Sequence, residues 1–154
     1  MLTDEEKKEI DAELKQYEYR RAVCVDALKV VQRHRRWVSD ESLRDIADYL
    51  KMTAEELDKV ATFYNLIFRK PVGRHVILVC DSVSCWLLGC EGLQRRLSER
   101  LRVGLGETTA DGRFTLLPIV CLGACDRAPA MMIGSDLYGD LDMDQLDAIL
   151  EHHP

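Results

Sequence analysis

Four of the six cysteines in this 154-residue chain fall in two close pairs. Cys80 and Cys85 enclose Asp81-Ser82-Val83-Ser84, and Cys121 and Cys125 enclose Leu122-Gly123-Ala124. Each pair opens where an apolar run stops: His75-Val76-Ile77-Leu78-Val79 before the first, and Phe114-Thr115-Leu116-Leu117-Pro118-Ile119-Val120 before the second. Two strands that each deliver two thiols to a loop can build one four-thiolate metal site. Soft sulfur ligands favour Zn²⁺ or an iron–sulfur cluster over hard cations. These intervals are permissible for structural zinc. The asymmetric pattern is less typical of zinc, and Gly89 and Gly123 would let backbone N–H groups approach sulfur and tune a cluster. The residues thus lean towards iron–sulfur and leave zinc open. Rieske ligation is disfavoured, because none of His34, His75, His152 and His153 lies inside the cysteine loops.

The elements that must position these thiols read as two parts. Thr3 with Glu6 forms a capping box ahead of Ile10, Leu14 and Tyr17 at helical spacing. A second helix carries Cys24, Ala27, Leu28 and Val31. Ser39 caps a third with Leu43, Ile46, Ala47 and Leu50 inside, and Thr53 with Glu56 caps a fourth with Leu57, Val60, Ala61 and Tyr64. Short amphipathic helices with brief connections predict a bundle. Pro71-Val72-Gly73 breaks that pattern and divides a helical part, 1–70, from a second domain, 71–154.

Beyond the break, strand and helix alternate. Strand 75–80 leads through a loop to a helix with Trp86, Cys90, Leu93, Leu97 and Leu101 on one face, ended by Gly104-Leu105-Gly106. Asp111-Gly112 signals a turn before the second strand, and Pro118 marks that strand as an edge or a bulge. Met131-Met132-Ile133 and Leu137-Tyr138 predict a hairpin, and Asp142 with Gln145 predicts the cap of a last helix. The reading is an open α/β sheet, in which ligands sit at the carboxyl ends of strands. Both cysteine pairs stand there.

Composition bounds the function. Lys and Arg number 21 against 27 Asp and Glu, a net charge of −6, which disfavours nucleic acid or an anionic membrane as partner. No apolar stretch is long enough to span a bilayer, and the N-terminus lacks a signal-peptide core, so the expectation is a cytosolic chain with reduced thiols. Cys24 and Cys90 sit on apolar helical stripes and read as core packing. The run Arg33-His34-Arg35-Arg36 sits at a helix C-terminus, where cations offset the dipole. Met131-Met132 reads as core. No Gly-rich phosphate loop, Ser/His/Asp arrangement or flavin fingerprint is evident, so the chain handles electrons without binding a nucleotide.

Longer stretches carry a family resemblance. They include Ala27-Leu28-Lys29-Val30-Val31-Gln32, Val60-Ala61-Thr62-Phe63-Tyr64, Phe68-Arg69-Lys70-Pro71-Val72-Gly73-Arg74-His75-Val76 and Asp111-Gly112-Arg113-Phe114-Thr115-Leu116-Leu117-Pro118. With both cysteine loops and Ala128-Pro129-Ala130-Met131-Met132, the chain resembles the E-subunit family of respiratory complex I, the NADH:quinone oxidoreductase. The resemblance implies an α/β fold in which an N-terminal helical bundle precedes a thioredoxin-like [2Fe-2S] ferredoxin domain. It implies Cys80, Cys85, Cys121 and Cys125 as the four ligands of one [2Fe-2S] cluster, with Cys90 outside the set. It further implies that the chain pairs with a flavoprotein subunit that binds FMN and NADH, beside other peripheral-arm subunits on the cytoplasmic side of the inner membrane, without itself entering the membrane.

The same architecture occurs in NAD-linked formate dehydrogenases and NAD-reducing hydrogenases, which stay open as parent complexes. A zinc-stabilised adaptor is the alternative of another class. If the cluster reading holds, the chemistry is one-electron transfer with no acid or base. Asp81 and Asp126, which flank ligands, then predict a low potential that Arg127 would partly offset.

Overall fold

The computed structural model describes the backbone of residues 1–154 and every side chain except that of Met143. The chain divides into two compact units, Met1–Pro71 and Val72–Pro154. Among the described residues, no helix is long and apolar enough to cross a membrane.

The first unit is built from α1 (Asp4–Leu14), α2 (Cys24–Arg35), α3 (Asp40–Leu50) and α4 (Ala54–Phe63), with a 3-10 turn at Arg20–Val23. Both capping boxes form. The Thr3 and Thr53 side chains accept from the N–H groups of Glu6 and Glu56, and each glutamate accepts back from its threonine's backbone N–H. Ser39 likewise accepts from the Ser42 N–H at 3.1 Å. The apolar stripes meet in one core containing Ile10, Leu28, Ile46, Leu50 and Leu57. α1 stops at Leu14, so Tyr17 lies beyond it, 40% exposed, with its hydroxyl donating to Asp26. The basic run is spent inside this unit. Arg35 meets Glu6, Arg33 and His34 meet Glu9, and Arg36 takes the left-handed conformation that ends α2.

The second unit is a four-stranded sheet of β1 (His75–Cys80), β2 (Phe114–Ile119), β3 (Met131–Ile133) and β4 (Asp136–Tyr138), ordered β2-β1-β3-β4. β1 pairs parallel with β2 from His75–Phe114 through to Cys80–Ile119, and antiparallel with β3. β3 and β4 form the expected hairpin. Pro118 is tolerated because β2 is an edge strand. A core of Ile77, Val79, Leu93, Leu97, Phe114, Leu116, Met131 and Leu146 lies on the sheet.

Three expectations fail here. The helix after β1 is two helices, α5 (Val83–Leu87) and α6 (Cys90–Leu101), broken where Gly89 adopts φ +98°, so Trp86 faces out while Leu93 and Leu97 face in. α6 ends at Arg102 in the left-handed region, ahead of Gly104, because the chain must turn at once to bury Val103. The last helix, α7 (Leu146–Glu151), follows a 3-10 turn, and the Asp142 side chain makes no capping bond.

Candidate metal centre

Because Cys80 and Ile119 are register partners in parallel strands, the two loops leave the sheet side by side at its carboxyl edge. The first loop turns directly into α5, which carries Cys85. The second runs through Val120 and Cys121 to a 3-10 turn at Cys125–Arg127. The Asp81 N–H donates to the Ile119 carbonyl at 3.0 Å, tying the loops together at their roots. The Cys80 thiol reaches the Val120 carbonyl at 3.9 Å. The Ala128–Pro129 peptide is cis.

Cys80, Cys85 and Cys90 are buried together with Ala124 and Ala130, and Ile119, Leu122 and Ala128 pack against them. Cys121 and Cys125 are exposed, and all six thiols are free. The structure therefore buries Cys80 and Cys85 together and leaves the second pair open on the neighbouring loop. Among the described residues, no three His, Cys, Asp or Glu side chains converge in a metal-binding array.

Backbone N–H groups surround these sulfurs. Burial opposes ionisation of Cys80, but N–H groups of Ser82 and Leu122 and the Cys85 thiol outweigh it and hold Cys80 below its ordinary value. Burial, with the hydrogen bond to Cys80, pushes Cys85 up to about 11, against the Ala130 N–H. Metal binding would require both thiols to give up their protons. The Gly123 N–H donates to the Cys121 sulfur at 3.3 Å, as its position within the loop suggested. Gly89 makes no such bond; its N–H goes to the Trp86 carbonyl at 3.2 Å. The Ser82, Leu122 and Ala130 donors escaped sequence reading because a backbone amide has no residue signature.

This donor set fits an iron–sulfur centre: four reduced thiols on adjacent loops, with N–H groups directed at sulfur. Cys90 belongs to the buried wall behind the first pair. Burial raises its pKa first, then the nearby charges of Glu91 and Asp81. Cys24 is half-buried at the edge of the helical core, also raised by burial. Arg127 faces Asp140 at 3.3 Å. His153 is buried, with its ring nitrogen 2.9 Å from the Tyr138 hydroxyl.

Residues 10–153 match the family described as thioredoxin-like [2Fe-2S] ferredoxin. The E subunit of the NADH-quinone oxidoreductase of Pseudomonas aeruginosa is 48% identical over 151 residues, covering 98% of this chain and 91% of that protein. Its counterpart in Escherichia coli strain K12 is 47% identical over 152 residues, 99% of this chain and 92% of its own length. The fold also superposes on a chain of an NAD⁺-reducing [NiFe]-hydrogenase with a TM-score of 0.73 and 26% identity, covering 84% of this chain. That superposition spans only 22% of the hydrogenase chain, so there the fold is one part of a much longer polypeptide. Matched over nearly its whole length, the chain belongs to the E-subunit family of NADH-quinone oxidoreductase, within the thioredoxin-like [2Fe-2S] ferredoxins.

Proposed function

We propose that Cys80, Cys85, Cys121 and Cys125 are the ligands of the family's [2Fe-2S] cluster. The supporting observation is that β1 and β2 end in register, so that both thiol pairs emerge from neighbouring strand ends among N–H donors. The chain is an electron-transfer subunit of NADH-quinone oxidoreductase, and the bound cluster supplies one-electron chemistry. This chain's own residues do the rest. β1 fixes Cys80 on a central strand, α5 orients Cys85, and Ala124, Ala130 and Cys90 keep water from the inner pair. N–H donors to sulfur stabilise negative charge there, and exposed Asp81 and Asp126 oppose its increase.

The partner we infer is the flavoprotein subunit that binds FMN and NADH, in a peripheral arm on the cytoplasmic side of the membrane. Occurrence of the fold within a long chain of an enzyme named for NAD⁺ reduction supports a partner of that chemistry. An NAD-linked formate dehydrogenase or hydrogenase is the second reading for the parent complex; the 47–48% identities to the quinone-oxidoreductase relatives against 26% to the hydrogenase favour the first. Anaerobically purified protein should be coloured and give a reduced-cluster electron paramagnetic resonance signal with dithionite. A colourless protein carrying stoichiometric zinc would return the chain to the adaptor reading.

A further inference from the structure

We propose that His152, His153 and Pro154 form an acid-released latch, which pins α7 to the starts of β1 and β2 and lets go when the His153 ring gains a proton. Arg113, immediately before β2, donates from Nε to the His153 carbonyl at 2.8 Å and from Nη2 to the Leu150 carbonyl at 2.5 Å. The Pro154 carbonyl accepts from Arg74 Nη1 at 2.9 Å and from Nε2 of His75, the first residue of β1, at 3.0 Å. The buried His153 ring stands between these contacts. Its Nε2 is 2.9 Å from the Tyr138 hydroxyl on β4, and its centroid is 5.4 Å from that of His75, edge to face. Leu146 and Leu150 of α7 belong to the core on the sheet, so the latch holds an apolar helix face in place.

The surroundings of His153 suit a neutral ring. An unprotonated Nε2 accepts the Tyr138 hydroxyl proton; a protonated one cannot. The ring is faced by Arg113 from the entry to β2, by Arg74 and His75 from the start of β1, by His152 beside it, and by Tyr138 and Asp136 from β4. Asp136 is the one carboxylate in this set, and it is exposed, 3.9 Å from Nε2. A ring cation here would be partly desolvated among other cationic groups, with a single solvated anion to offset it. Burial first, then His75, hold His153 below its ordinary 6.5, and Asp136 opposes this without cancelling it. A lowered folded-state value gives the latched form its full stability above about pH 6.5 and takes that stability away as pH falls through the folded value. The thiol pairs stand at the other ends of β1 and β2, so release frees α7 at the end of these strands remote from the cysteine loops.

The test is hydrogen exchange of the full, cluster-loaded chain, read by mass spectrometry and corrected for the intrinsic rate at each pH. It compares α7 with β1 between about pH 7.5 and about pH 5, above the range in which Glu6 takes up its proton. Protection of α7 should fall about fivefold or more across that range, while that of β1 and the visible absorbance of the cluster hold. His153→Gln, which can still hydrogen-bond but does not titrate, should flatten the fall. Asp136→Asn, which removes the one compensating anion, should move it to higher pH. Constant protection of α7 in the wild-type chain, or an equal fall in His153→Gln, overturns the latch. So does a release that moves to lower pH in Asp136→Asn.

Discussion

Arg35 grips both carboxylate oxygens of Glu6, Nε to Oε1 and Nη2 to Oε2, each at 2.7 Å, with Glu6 almost fully enclosed at 1% exposure. The same carboxylate closes the capping box of α1 by accepting from the Thr3 N–H at 2.8 Å. One side chain thus joins the start of α1 to the end of α2.

Glu6 should therefore set the acid stability of the helical unit. Burial would raise its pKa, but bonds from Arg35 and Thr3 outweigh it and hold the carboxyl below its ordinary 4.5. A lowered folded-state value contributes stability above the unfolded pKa and loses it as pH falls through the folded one. Circular dichroism should show the wild-type unit weakening below about pH 4.5. Glu6→Ala, which strands a partly buried guanidinium, should cost about 3 kcal/mol at neutral pH and flatten that acid dependence. An unaltered acid transition in the variant would remove Glu6 from this role.

Serine at Cys80, Cys85, Cys121 or Cys125 should abolish or bleach the visible spectrum, because a hard oxygen replaces thiolate poorly. Cys90→Ser should keep the colour and lose about 1–3 kcal/mol, the cost of a hydroxyl in a buried thiol's place. A colourless Cys90→Ser protein that is otherwise folded would overturn the four-ligand set.

Asp81→Asn removes a negative charge from an exposed residue next to a ligand and should make the cluster easier to reduce. Screened by solvent, the charge is worth about 0.5–1 kcal/mol, or about 20–40 mV for a one-electron couple. Potentiometric titration checks the sign; an equal or lower potential would mean that Asp81 does not act on the cluster.

Gly139→Ala should disturb the second loop from behind. A Cβ there would stand 2.6 Å from Arg127 Cβ and 2.8 Å from the Arg127 carbonyl oxygen. That carbonyl also accepts from the Asp140 N–H at 2.6 Å, so the Cys125–Arg127 turn has no room to retreat. The expected loss is about 1–3 kcal/mol, with faster loss of cluster absorbance under chelator. Unchanged cluster lifetime would show that the turn yields without moving Cys125.

Residues 72–154 alone should fold and assemble a coloured cluster, since that unit has its own core and all four proposed ligands. In the full chain, Phe63 is 79% exposed and stacks edge-on to Tyr64 at 5.2 Å, so Phe63→Ala should lower partner affinity without moving the helical unit's melting temperature. A drop in melting temperature at constant affinity would assign the pair to internal packing.

Much of this molecule was legible because local chemistry and global fold agree. Thr3 with Glu6 and Thr53 with Glu56 announced their helices, and the apolar runs ending at Cys80 and Ile119 announced the strands. The α5–α6 break was not legible, because an apolar run reads as core whichever way it faces, and Trp86 faces solvent. Arg102 in a left-handed cap was hidden for a related reason: the need to bury Val103 overrides the signal of Gly104. His153 became enclosed through the Tyr138 hydroxyl, a partner 15 residues away in sequence that no spacing rule would have paired with it.

The register of β1 on β2 acts as the ruler of the thiol site. Slipping one strand by a single residue would turn every side chain to the opposite face and shift one loop root along the other. Insertions within His75–Cys80 or Phe114–Ile119 are therefore closed to variation. The connection from Gly104 to Arg113 enters β2 at the end remote from Cys121, and its Gly106, Glu107 and Thr109 bond back onto Leu116 and Phe114, so it steadies β2 along the side that β1 leaves open.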